Sequence, residues 1–99
     1  MKIRFGDPDL DRLETDAAFT ARKSQALVKA FRIRIQGIRA AKDERDLRAP
    51  KSWRFEKLEG ARSHQHSIRL NDQFRLILEI EGGPSDKTIV VVAIEDHYH

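Results

Sequence analysis

Cysteine is absent from the 99 residues. That excludes a disulfide framework, a thiol nucleophile, thiolate zinc and a cysteine-held iron–sulfur cluster. Large aromatic residues are scarce, with one Trp and one Tyr beside five Phe, so one modest core must carry the fold. A domain of this size hides only about 60–70% of the surface its unfolded chain exposes. A large enclosed cofactor pocket and a second domain are therefore not expected, and a single domain over residues 1–99 is. No stretch approaches the ~20 apolar residues that cross a bilayer, and the opening MKIRFGDPDL lacks the apolar segment of a signal peptide. A cytoplasmic chain without membrane contact is the expectation. The G-x-S-x-G elbow, the P-loop and the G-x-G-x-x-G turn are missing too.

What the chain has is charge, unevenly placed. The net +3 conceals a segment at +9 between residues 21 and 75, flanked by −2 before it and −4 after it. Such a segment is the electrostatic footprint of a polyanion binder, because each Lys or Arg on a phosphate releases counterions. It also suits a solvated helix face, so the residue pattern must decide.

Residues 1–5 alternate Ile3 and Phe5 with Lys2 and Arg4, as a half-buried strand does. Asp7 followed by Pro8 starts a helix over residues 8–14, with a side-chain acceptor at the cap and proline in the first turn. A longer helix is predicted over residues 19–41, where Leu27, Val28, Phe31, Ile35 and Ile38 form one apolar stripe. Arg22, Lys23, Lys29, Arg32, Arg39 and Lys42 occupy its outer side, and Gly37 either permits close packing or is tolerated. Residues 43–47 offer one more turn before Pro50.

The period then changes to two. Trp53, Phe55 and Leu58 mark one strand, residues 66–70 and 74–80 form a hairpin, and residues 81–86 form a polar Gly/Pro loop. The apolar run over residues 88–96 suits a strand covered on both faces. The expected class is α+β, with an N-terminal strand, two helices and then a three- to four-stranded, mainly antiparallel sheet packed on the helix stripe.

Two His-x-His pairs, His64 with His66 and His97 with His99, can each turn two imidazoles to one strand face. No third ligand type stands at a metal-site spacing, so no metal or other cofactor is expected. Glu95, Asp96, His97, Tyr98 and His99 follow the apolar strand directly, where a rigid scaffold can aim proton-carrying groups; a solubilising terminus is the alternative.

The segment over residues 47–78 decides between them. Leu47 and Pro50, Leu58 and Gly60 with Arg62, then Ser67, Ile68, Arg69, Asn71, Gln73, Phe74 and Arg75 stand at the spacing of a long polar and apolar pattern. In this pattern the chain resembles the HigB-like branch of the RelE/ParE superfamily of bacterial toxins, also described as plasmid maintenance killer proteins. Family members end a strand on Asp-Tyr-His, where this chain has Asp96, His97, Tyr98 and His99.

The resemblance implies a RelE-like fold and a ribosome-dependent messenger-RNA endonuclease that needs no metal. It also implies a HigA-like helix-turn-helix antitoxin, and a toxin–antitoxin complex that can bind operator DNA. In such cleavage a 2′-OH attacks the adjacent phosphate, which requires a proton acceptor, cations and a proton donor. Arg75 with Asp96, His97, Tyr98 and His99 are the catalytic candidates, and Lys57, Arg62 and Arg69 the RNA-binding ones. A one-residue shift in the terminal motif would turn side chains to the opposite face, so the general acid among His97, Tyr98 and His99 stays open. Glu59 inverts the charge of the family's Lys, and Glu56 is either a base or an outward carboxylate paired with an Arg. A ParE-like or degenerate toxin acting by protein binding, or an antitoxin-bound regulatory subunit, is the competing expectation.

Overall fold

A computed structural model describes residues 1–97; the predicted site residues Tyr98 and His99 lie outside the described residues. Strand β1, Lys2–Phe5, leads through Asp7 into helix α1, Pro8–Thr15, where the Asp7 carboxylate accepts from the Asp9 amide at 2.8 Å. Helix α2 covers Gln25–Ala40 and a short α3 covers Glu44–Arg48. Four strands follow: β2 Glu56–Lys57, β3 Gln65–Arg69, β4 Phe74–Gly83 and β5 Asp86–Asp96. The sheet order is β1-β5-β4-β3-β2. Only β1 runs parallel to its neighbour, with Ile3 beside Ile89. The α+β expectation holds, with β1 closing the sheet as a fifth strand.

The apolar stripe of α2 lies on one face of this sheet. Phe31, Ile35 and Ile38 are fully buried, as are Ile68, Leu76, Leu78, Ile89 and Val91. Each such side chain contributes about 1.5–3 kcal/mol through burial. Gly37 has a packing reason: a Cβ there would stand 2.5 Å from the Trp53 ring.

The predicted elements are corrected in three places. Helix α2 starts six residues later than periodicity suggests, because Ala21 and Arg22 take left-handed backbone angles, φ 51° and 61°, that no helix accommodates. Ser24 then caps it, accepting from the Leu27 amide at 3.1 Å. Arg32, expected on the solvated face, turns inward instead. Its guanidinium donates to the carbonyls of Leu13, Asp16 and Phe19 at 2.8, 3.1 and 3.2 Å. It thereby satisfies the C-terminal end of α1 and fixes the loop.

The strand expected from Trp53 to Leu58 shrinks to β2. A 3₁₀ turn over Lys51–Trp53 ends at Arg54 with φ 47°, and Trp53 and Phe55 join the core. The loop expected over residues 81–86 is mostly ladder, since Gly83 pairs with Asp86 and leaves a two-residue turn at Pro84 and Ser85. Gly82 permits this with φ 98°, where a Cβ would strike the Asp86 carbonyl.

One irregularity decides which way the end of β5 faces. Ile77 pairs with Ala93 but Leu78 pairs with Val91, so Val92 is an extra residue on β5. Ile89 and Val91 point to the helices, and strict alternation would send Ala93 and Glu95 the same way. The bulge reverses the phase. Ile94 packs on the core, and Ala93 and Glu95 emerge beside Ile77 and Arg75 on the helix-free face.

Candidate functional site

The register across this free face aligns side chains in rows. Glu56 lies opposite Ser67 and Ser67 opposite Ile77; Arg69 lies opposite Arg75 and Arg75 opposite Glu95. Directly opposite residues share a face with Cβ atoms about 4.5–5.5 Å apart. Arg69 and Arg75, which alternation in the sequence left unassigned, are therefore on one side. A cleft of about 290 Å³ opens here, lined by Arg54, Glu56, Ser67, Arg69 and Arg75, with His97 and the Asn71–Phe74 turn at its end.

The turn is built for rigidity. The Asn71 carboxamide oxygen accepts from the amides of Gln73 and Phe74 at 2.9 and 2.7 Å, an arrangement typical of Asx turns. The His97 amide donates to the Gln73 carbonyl at 2.7 Å, which ties the end of β5 to the same turn.

Charge on this face is largely arranged in pairs. Glu95 accepts from Arg62 at 2.8 and 2.9 Å and from Arg75 at 2.8 Å. The two guanidiniums hold its carboxyl down to about 2, Arg62 contributing most. Arg75 keeps a buried Nε with no partner. Arg69 pairs with Asp72, and its carbonyl accepts from Arg34 Nε at 3.0 Å. Arg34 lies over the Trp53 ring, 5.4 Å from its centroid, and burial, with Arg69 nearby, lowers its pKa. Among the described residues, Arg54 and Glu56 line the cleft without an ion pair.

Of the residues predicted from sequence, Arg69, Arg75 and His97 line the cleft. Arg62 does not line it and reaches the face through Glu95. Lys57 is opposite His66, whose row faces the helices, so an RNA contact from Lys57 in this cleft is not supported. Asp96 falls in register with Phe74 on the other face and accepts from Gln73 Nε2 at 3.1 Å. The alternative that Glu56 pairs with an Arg is corrected as well: no such pair forms among the described residues.

His64 and His66 do not come together, and the pair of His97 with His99 lies partly outside the described residues. His66 stacks on Phe55 at 5.0 Å, whereas His64 Nε2 lies 3.8 Å from Glu79 on the free face. No cluster of three metal-ligating side chains occurs among the described residues. Arg54, Ser67 and Asn71 were missed. Ser67 was recoverable, since it stands two residues before Arg69 and shares its face; nothing local announces the left-handed turn that aims Arg54.

Fold and face together define a RelE-like toxin scaffold with a basic cleft at one end of its sheet. Over residues 4–97 the chain matches the family described as RelE-like toxin of type II toxin–antitoxin system HigB. It is 34% identical over 79 residues to Toxin HigB-1 of Vibrio cholerae serotype O1, covering 80% of this chain and 83% of that one. A YoeB/ParE toxin from Agrobacterium tumefaciens has the same fold, with a TM-score of 0.61 at 21% identity over 99% of this chain and all of the other. The chain belongs to the HigB-like toxins of type II toxin–antitoxin systems, a family whose members have a cognate antitoxin as partner. Among the described residues no helix is long and apolar enough to cross a membrane.

Proposed function

We propose that the protein cleaves messenger RNA in the ribosomal decoding site, with the cleft described above as its active site. The observation that carries this reading is the direct opposition of Arg69 and Arg75 on a face that also presents an unpaired carboxylate, Glu56, and the imidazole of His97. In-line cleavage needs those three kinds of group.

Glu56 takes the proton of the 2′-OH as its oxygen bonds to phosphorus. Arg69 and Arg75, with Arg54 at the rim, hold the charge of the pentacoordinate phosphate. The P–O5′ bond breaks, leaving a 2′,3′-cyclic phosphate, and the leaving 5′-oxygen is protonated by His97 or by one of the terminal Tyr98 and His99. Asp96 acts on the proton carriers through the strand end, by way of Gln73. A cleft this small and open suits a substrate held in place by a larger particle. Exposed Arg22, Lys29 and Lys42, which stand in no ion pair among the described residues, supply cations for ribosomal RNA. A helix-turn-helix antitoxin of the HigA type, with operator binding by the complex, completes the system.

The test is induction of the gene without its antitoxin. Growth and translation should stop, 5′-end mapping should find messages cut within codons, and the double change Arg75→Ala, His97→Ala should restore growth. Removing a transition-state cation costs on the order of 10²–10³ in rate, and a proton carrier typically 10²–10⁴. Undiminished toxicity in the double variant, or toxicity with intact messages and broken DNA, would overturn the reading in favour of a protein-binding toxin.

A further inference from the structure

Ser67 is the one polar residue in the buried set among the described residues, 5% exposed. Its hydroxyl makes no hydrogen bond within the protein. The oxygen itself is not among the buried unpartnered atoms, so it meets the solvent of the cleft rather than protein. Packing gives no reason for it, since its partner across β3 and β4 is Ile77. Ser67 nonetheless lines the cleft, so its hydroxyl is open to whatever enters. On one side the register sets Glu56 directly opposite, and one step along the same face come Arg69 and Arg75. An unpartnered donor and acceptor thus stands between a free carboxylate and two guanidiniums.

We infer that Ser67 Oγ binds the ribose 2′-hydroxyl of the nucleotide whose 2′-oxygen attacks, a positioning role that rests on the nuclease reading above. The Ser67 hydroxyl donates to the 2′-oxygen and keeps its own proton throughout. The 2′-hydroxyl proton passes to Glu56, and the freed electron pair forms the bond to phosphorus. Only a ribose carries this hydroxyl, so the same contact separates RNA from DNA in the cleft. A cation, by contrast, would grip the phosphates of both.

The test compares ribosomes programmed with a message carrying ribose, or a single 2′-deoxyribose, at the cleaved nucleotide. Affinities are measured in the Arg75→Ala, His97→Ala background, which suppresses cutting and leaves Ser67 and Glu56 intact. That background should prefer ribose by about 3- to 10-fold, the range of one neutral hydrogen bond. Adding Ser67→Ala should abolish the preference. In the otherwise native protein, Ser67→Ala should slow single-turnover cleavage at least as much while its unfolding midpoint is unchanged. Ribose preference that survives Ser67→Ala, a background that binds both messages equally, or native-rate cleavage by Ser67→Ala overturns the inference. A native protein that leaves messages uncut overturns the nuclease reading instead, and the affinity comparison still decides the role of Ser67.

Discussion

Replacing Glu95 by Gln keeps the size of the side chain and removes only the charge that joins Arg62 to Arg75. A carboxyl held at about 2 against an ordinary 4.5 corresponds to at most about 3 kcal/mol of folded-state preference. Solvent reduces that figure, since the Glu95 and Arg62 side chains are 30% and 43% exposed. About 1–2 kcal/mol is expected. The folded pKa lies below the unfolded one, so the contribution is complete above about pH 4.5 and is lost as pH falls toward about 2. Urea unfolding followed by the fluorescence of Trp53, the single tryptophan and 9% exposed, reads it directly. Glu95→Gln should be less stable than the native protein by that amount at pH 7, a fall in Tm of about 5–15 °C. The two curves should converge between pH 4.5 and 2.5. Equal stability at pH 7, or a gap that does not close on acidification, would refute the bridging role.

Arg32→Ala should cost about 1–3 kcal/mol, because four carbonyls at the α1 end and in the following loop lose a charged donor; hydrogen exchange should quicken over residues 16–24, and Lys should rescue little because it lacks the fork. Gly37→Ala should destabilise by about 1–3 kcal/mol despite raising helix propensity, since the new methyl meets Trp53; a red-shifted Trp53 emission would accompany it, and a stabilised variant would refute the packing argument. Phe31→Ala should cost about 3–5 kcal/mol as measured by urea unfolding, the range for a fully buried Phe.

The +9 segment overstated the free charge of the molecule. Arg32, Arg39 and Arg62 stand in it, yet Arg32 serves backbone carbonyls, Arg39 is held by Glu14 at 2.6 Å and Arg62 by Glu95. Composition counts cations without saying which already have partners. Lys57 and Glu56 show the same limit on a smaller scale: adjacent in sequence, they point to opposite faces of a two-residue strand, and only pairing with β3 reveals which one meets the cleft.

The sequence alone determined the order of elements, the face of α2 that packs and the α+β class, because apolar period and capping chemistry act locally and leave a mark in the residue string. It also carried the toxin pattern from Leu47 to Leu78. Tertiary structure alone decided where the functional groups point. The extra Val92 turns Glu95 toward Arg75 and Ile94 toward the core, and one residue of phase in a strand exchanges its two faces. The register between β3 and β4 then sets Arg69 against Arg75, a pairing between separate strands that no local pattern encodes.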